Sequence, residues 1–258
     1  MSTLAVSYLQ TDLIWESPEE NRQKFEKYIA EEAAKTNLIV LQEMFTTGFS
    51  MHPEGIAEEV GPTLSWLQNL AQKHDVAITG SVMLKEKKNY YNRLYFVKSD
   101  GETHQYDKKH LFSLAKEERA YTAGSKKLIV EYKGWKICPL ICYDLRFPAW
   151  SRNLEDYDLL LYVANWPEKR ITAWDALLKA RAIENMAYVV GVNRTGKDNN
   201  DFPYVGHSAV YDYLGERIST HELENPHVVE HCTLNKNKLQ EAREKFGFLK
   251  DRDDFILN

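Results

Sequence analysis

Four short runs in this chain are almost wholly apolar: LIVLQ at 38–42, VAITGSV at 76–82, LLLYVA at 159–164 and YVVGVN at 188–193. They are too short for buried helices and lack the alternation of a strand with one wet face. Such runs read as strands buried on both faces, which need a helix layer or a second sheet on each side. Helical patterns lie between them. Ser17-Pro18-Glu19-Glu20 predicts a helix start, with Ser17 as cap, Pro18 in the first turn and Glu20 completing a capping box. Phe25, Tyr28, Ile29 and Ala33 follow at helical spacing. Residues 63–74 predict a second helix and 172–186 a third, capped by Thr172. Further strands are expected at 4–10, 91–97, 207–213 and 228–233, with a hairpin of 128–132 and 136–141 across Lys133-Gly134. The alternation predicts a layered α/β protein. With no linker or repeat in view, one domain is expected over 1–258, with 236–258 as a C-terminal tail.

Composition narrows the function classes. A chain of 258 residues can bury a substantial core. Its net charge of -5 and the lack of a Lys/Arg block argue against a nucleic-acid partner. The opening MSTLAVSYLQTDLIWE has no basic segment of the kind that begins a secretory signal. No apolar run reaches the ~20 residues of a membrane span. The cysteines are Cys138, Cys142 and Cys232, an odd set that suits a reducing cytosol better than a disulfide framework. A cytoplasmic protein whose reactive cysteine works as a thiol is therefore expected.

Three separated motifs carry chemistry. Glu43 directly follows a buried strand, at the sheet edge where α/β active sites form, and suits a general base. In YDKKHLF, the Lys108 ammonium can face a developing oxyanion. In CPLICYDLRFP, Cys142 ends an apolar strand before a turn whose N–H groups can lower its pKa and hold an oxyanion. Taken singly, Glu43 also fits a surface loop residue, Lys108 a polar turn and Cys142 a buried core cysteine. Cys138, inside the apolar run, reads as core. The offset of Cys138 from Cys142 has no zinc-site geometry, so no metal and no cofactor are expected.

The combination resembles the nitrilase superfamily of carbon-nitrogen hydrolases. The matching stretches are LIVLQEMFTTGF, YDKKHLF, GWKICPLICYDLRFPAW, ANWP, ARAIENMAYVVGVNRTG and GHSAVYDYLGE, in the family's order over roughly residues 4–235. Such a resemblance implies a four-layer α-β-β-α sandwich of the nitrilase type. It also implies a Glu-Lys-Cys set in which Glu43 matches the base, Lys108 the oxyanion lysine and Cys142 the nucleophile. A further carboxylate after the lysine motif is matched by Glu117, with Glu118 adjacent. Arg146 matches a position that holds substrate carboxylates in carbamoyl amino acid hydrolases, and it equally fits a structural salt bridge behind Cys142. Asn165-Trp166-Pro167 resembles the family's pocket wall, and the Tyr143 N–H is placed as a second oxyanion donor.

Within the family the closest resemblance is to omega-amidases, which release ammonia from 2-oxoglutaramate and related omega-amides. A small substrate of that kind would present its amide to Cys142 and its carboxylate to Arg146 or Arg170, with Arg194 as a weaker candidate. Arg170 also fits a solvated loop charge. A nitrilase or N-carbamoyl amino acid hydrolase would use the same set, and a non-catalytic binding member of the fold would normally lack one of the three residues. The resemblance also implies a homodimer. Apolar residues in the tail, Phe246, Phe248, Leu249, Phe255, Ile256 and Leu257, are candidates to cover a neighbouring subunit or to pack on their own.

Overall fold

The computed structural model describes residues 2–257. In chain order the first half forms β1 (Thr3–Gln10), α1 (Pro18–Glu32), β2 (Leu38–Val40), β3 (Glu58–Glu59), α2 (Pro62–His74), β4 (Ala77–Glu86), β5 (Asn89–Val97), β6 (Thr103–Asp107) and the single turn α3 (Glu117–Ala120). The second half forms β7 (Val130–Tyr132), β8 (Trp135–Ile141), α4 (Pro148–Ser151), β9 (Leu159–Ala164), α5 (Ile171–Asn185), β10 (Tyr188–Asn193), β11 (Thr195–Lys197), β12 (Pro203–Val205), β13 (Ala209–Tyr211), β14 (Val228–Asn235) and α6 (Lys236–Phe246).

Two sheets result. One runs β14-β1-β2-β4-β5-β6 with β3 beside β4, and the other runs β13-β10-β9-β8-β7. Strands β1, β2 and β4 pair in parallel, as do β8, β9 and β10. The pleat explains the continuous apolar runs. In β1 and β2, Val6, Tyr8, Leu38 and Val40 turn inward to meet Ile137, Leu140 and Leu161 of the other sheet. Their neighbours Leu9 and Ile39 turn outward onto Phe25 and Ile29 of α1 and Leu67 and Ala71 of α2. On the far side Trp174 and Leu178 of α5 press on β10 so closely that a Cβ at Gly191 would lie 2.4 Å from Leu178 Cδ1. The order is helices, sheet, sheet, helix: a four-layer α-β-β-α sandwich.

Local details differ from the sequence reading. Ser17 precedes α1, but its Oγ donates to Glu20 Oε1 at 2.7 Å and caps no backbone N–H. Thr172 lies inside the first turn of α5, where Arg170 holds the cap position, because Glu168–Arg170 already form a 3-10 turn leading in. The strand expected at 207–213 shortens to Ala209–Tyr211, and β6 and the β11–β12 ribbon were not anticipated. Helix α6 is capped by Asn235, whose side chain accepts from the Lys238 N–H, and its Leu239 is fully buried. Beyond it Phe248 and Ile256 are exposed. Among the described residues no helix is long and apolar enough to cross a membrane.

Candidate active site

Glu43, Lys108, Cys142 and Asn165 each lie within three residues of the C-terminal end of a strand: β2, β6, β8 and β9. Side chains from the ends of both sheets therefore converge on one crevice, the usual ligand position in such folds. Glu43 and Lys108 are buried, with Lys108 Nζ 2.9 Å from Glu43 Oε1. Glu117 is equally buried and grips the same ammonium, 3.0 Å from each carboxylate oxygen. Its Oε2 also accepts the Phe112 N–H at 2.5 Å. Glu118 is exposed, so the carboxylate beside the lysine is Glu117.

The two oxygens of Glu43 are held separately. Oε1 accepts from Lys108 and from Asn92 Nδ2 at 2.8 Å, and Oε2 accepts the Asn165 backbone N–H at 2.7 Å. The Asn165 side chain donates to the Glu43 carbonyl at 2.7 Å, locking the Glu43 peptide. Asn165 is thus tied to Glu43, while Trp166 lines the cavity and donates Nε1 to the Arg170 carbonyl at 2.8 Å.

Cys142 opens a 3-10 helix over Cys142–Arg146 with φ +44°. That left-handed conformation costs about 1–3 kcal/mol for a residue with a Cβ and tends to persist where function requires it. The turn leaves the Tyr143 N–H in the helix's first turn, where no partner exists within the helix. Asp144 staples the turn in place. Its Oδ2 accepts from the Ile141 N–H at 3.1 Å and from Tyr106 Oη at 2.7 Å, while Oδ1 accepts the His110 N–H at 3.0 Å. Tyr106 and His110 flank Lys108, so this network fixes the cysteine turn and the lysine strand to each other.

Charge in this buried cluster is set by neighbours. Burial opposes the Lys108 ammonium, but Glu117 and then Glu43 outweigh it and hold the group charged beyond the ordinary lysine range. Burial and then Glu43 push the Cys142 thiol well above its usual value, with Lys108 pulling the other way. The resting thiol is therefore protonated near neutrality, which contradicts the expectation that turn N–H groups would lower its pKa. Burial also raises Glu117 above the usual carboxylate range, Lys108 pulling it down and Glu43 pushing it up.

Above Cys142 lies a cavity of about 220 Å³. Phe49, Phe112, Tyr143 and Trp166 supply apolar wall, and Arg146 and Arg170 supply positive charge. Arg146 lies over the Trp166 ring at 5.0 Å and Arg170 over the Phe112 ring at 4.9 Å. Among the described residues neither guanidinium has an ion pair, so the salt bridge behind Cys142 is absent and Arg170 is half-buried at the pocket. Arg194 does not reach the cavity. It is fully buried and donates Nε to the Thr195 carbonyl at 3.0 Å and Nη2 to the Lys197 carbonyl at 2.9 Å, bracing the β11–β12 ribbon.

Absent from the sequence-based set are Asn92, which bonds Glu43, and Asp198, Phe202 and Tyr204 of the β11–β12 ribbon and its loop, which line the cavity. Asn92 carried a legible signal, a polar residue inside the apolar run YNRLYFV. The ribbon residues carried none, because a loop's return to the pocket is not written in its own pattern.

The family model described as carbon-nitrogen hydrolase matches residues 3–243. The chain belongs to the carbon-nitrogen hydrolase family. This carbon-nitrogen hydrolase is 44% identical over 257 residues to the omega-amidase YafV of Escherichia coli (strain K12), with 100% of each chain covered. It is 38% identical over 220 residues to the 2-oxoglutaramate amidase of Bacillus subtilis (strain 168), covering 83% of this chain and 85% of that one. Among solved structures it superposes on XC1258 from Xanthomonas campestris, a CN-hydrolase superfamily protein with an arsenic adduct in its active site. There the TM-score is 0.96 at 41% identity, and 100% of each chain is covered. The chain is thus a hydrolase of carbon-nitrogen bonds within the nitrilase superfamily.

Proposed function

We propose that this carbon-nitrogen hydrolase is an omega-amidase that hydrolyses the terminal amide of small omega-amido 2-oxo acids such as 2-oxoglutaramate, with Cys142 as nucleophile. The observation that carries the reading is the cavity itself. Its floor is Cys142 beside the Glu43–Lys108–Glu117 cluster, and its wall offers to a substrate carboxylate two guanidiniums that have no acidic partner among the described residues. The full-length likeness to an omega-amidase supports the same substrate class.

The mechanism follows from the protonation states. Because the thiol rests protonated, Glu43 takes its proton as the sulfur attacks the amide carbon. The C–S bond forms as the carbonyl π pair moves onto oxygen, where the Lys108 ammonium and the Tyr143 N–H stabilise it. Collapse expels the amine nitrogen, protonated by Glu43, as ammonia. Glu43 then deprotonates a water that attacks the thioester, releasing the carboxylic acid and returning the thiol. Glu117 keeps Lys108 charged and aimed throughout. Arg146 is the first choice for the distal carboxylate and Arg170 the second, each able to give a bidentate, charge-assisted contact that aligns a small ligand for attack.

The further parts of the reading concern assembly and place. One domain over 1–258 is supported by a single core shared by both sheets, with 236–258 as its C-terminal extension; Met1 and Asn258 lie outside the described residues. A homodimer is supported by exposed apolar side chains at Ile183, Leu214, Phe248 and Ile256. Three buried, unpaired thiols suit a cytoplasmic setting.

Ammonia release measured across 2-oxoglutaramate, glutamine, simple nitriles and carbamoyl amino acids tests the proposal. 2-Oxoglutaramate should have the highest kcat/KM. Faster turnover of nitriles or carbamoyl amino acids would overturn the omega-amidase reading and leave the catalytic set in place.

A further inference from the structure

Glu43 is held by a side chain that belongs neither to the proposed catalytic set nor to the cavity wall. Asn92, on β5 and 1% exposed, donates Nδ2 to Glu43 Oε1 at 2.8 Å. The opposite amide orientation would set two acceptor oxygens against each other at that distance. Lys108 Nζ reaches the same oxygen at 2.9 Å.

Sheet register explains why these two donors coincide. Arg93 of β5 pairs with Asp107 of β6, so the next antiparallel partners are Asn92 and Lys108. The Lys108 N–H indeed donates to the Asn92 carbonyl at 3.0 Å. Directly opposed residues place their side chains on one face of a sheet, so both aim at one carboxylate. Asn92 thereby positions the lysine through its backbone and the base through its side chain. Its Oδ1 has no hydrogen-bond partner among the described residues. An asparagine kept for structure alone would be expected to satisfy both ends of a buried amide.

We propose that Asn92 is a positioning residue for the base, holding the Glu43 carboxylate in its attack-ready orientation while Lys108 serves the oxyanion. The division of labour has a physical reason. When the ammonium turns toward the substrate oxygen, Glu43 Oε1 keeps a donor that is neutral and cannot exchange a proton with it. The proton from Cys142 therefore stays on Glu43 until it passes to the departing nitrogen. This inference rests on the reading of Glu43 as the base.

The test uses the full-length enzyme with Asn92→Leu, which is nearly isosteric and has no donor, and Asn92→Asp, which sets a second carboxyl against Glu43. Glu43→Gln is measured alongside. A carboxylate that loses a hydrogen-bond donor keeps its proton to higher pH. Both Asn92 variants should therefore show an acid limb of kcat/KM displaced upward. kcat for 2-oxoglutaramate should fall about 10- to 100-fold, as expected for a misplaced reacting group, with KM little changed. The pH dependence of Cys142 alkylation by iodoacetamide, which needs no substrate, should move in the same direction. Should Asn92→Leu misfold, Asn92→Ser, whose hydroxyl is too short to reach Glu43, carries the same test. A folded variant with wild-type kcat, or one that loses kcat with an unmoved acid limb, overturns the proposal while an inactive Glu43→Gln leaves the base reading standing. An active Glu43→Gln overturns the base reading itself.

Discussion

The Lys108 ammonium straddles the Glu117 carboxylate, 3.0 Å from each oxygen, with both side chains shut away from solvent. Glu43 approaches the same ammonium at 2.9 Å, so one cation is shared between two buried carboxylates. Removing Glu117 leaves the ammonium paired with Glu43 but takes away two of its hydrogen bonds in a buried site.

Glu117→Ala should therefore destabilise the protein, by about 1.5–3 kcal/mol on the scale of hydrogen bonds to charged groups. It should also lower kcat, because the lysine loses its clasp. Glu118→Ala, at an exposed position, should do neither. Calorimetry and turnover on the two variants check this, and equal melting temperatures would count against the clasp.

Lys108→Ala should reduce kcat by about 10²–10³, the range for loss of one oxyanion donor. Lys109 sits over the Trp150 ring at 5.5 Å, away from Glu43, and Lys109→Ala should remain active. The sign of the pH effect is also fixed. A lysine whose folded pKa is raised stays charged through the ordinary lysine range and loses its proton only above it. The donor should therefore not switch off between neutral and mildly alkaline pH, and a kcat/KM profile with no fall over that window is the expected result.

Cys142→Ser should fold normally and lose nearly all turnover, while Cys138→Ser and Cys232→Ser remain active. Cys138 is fully buried and its thiol is pushed far up by burial, and burial pushes Cys232 up to about 12. Only Cys142 lines the cavity. Mass spectrometry after brief iodoacetamide treatment should find Cys142 modified first.

Arg146→Ala and Arg170→Ala separate the two carboxylate candidates. A charge-assisted hydrogen bond contributes roughly 1.5–3 kcal/mol, so its loss should cut kcat/KM for 2-oxoglutaramate by about 10- to 100-fold. A neutral amide of similar length should be little affected by the same substitution. If both variants treat charged and neutral amides alike, the carboxylate is anchored elsewhere.

Light scattering at micromolar concentration should give twice the chain mass. A monomer mass would reject the homodimer and leave the exposed Phe248 and Ile256 without that explanation.

By itself the sequence determined the buried strands and main helices and pointed to the three side chains proposed as reactive. Strands at 159–164 and 188–193 match the structure residue for residue, because an apolar run of that length has few other ways to satisfy its backbone. Glu43 and Cys142 stood out because each follows such a strand, where the chain leaves the sheet, and Lys108 because YDKKHLF resembles the family's lysine motif. Tertiary structure alone decided the rest. Glu117 and Glu118 are adjacent and chemically identical, and only the one-turn helix α3 sends the first to Lys108 and the second to solvent. Arg194 follows strand β10 as promisingly as any candidate, yet packing turns it onto backbone carbonyls beneath the ribbon. Asn92 acquires its partner only when β5 and β6 pair in a register that sets it opposite Lys108. Local pattern encodes which face of an element is buried. It does not encode which distant side chain waits on that face, because that depends on how separate layers are brought together by burial of a common core.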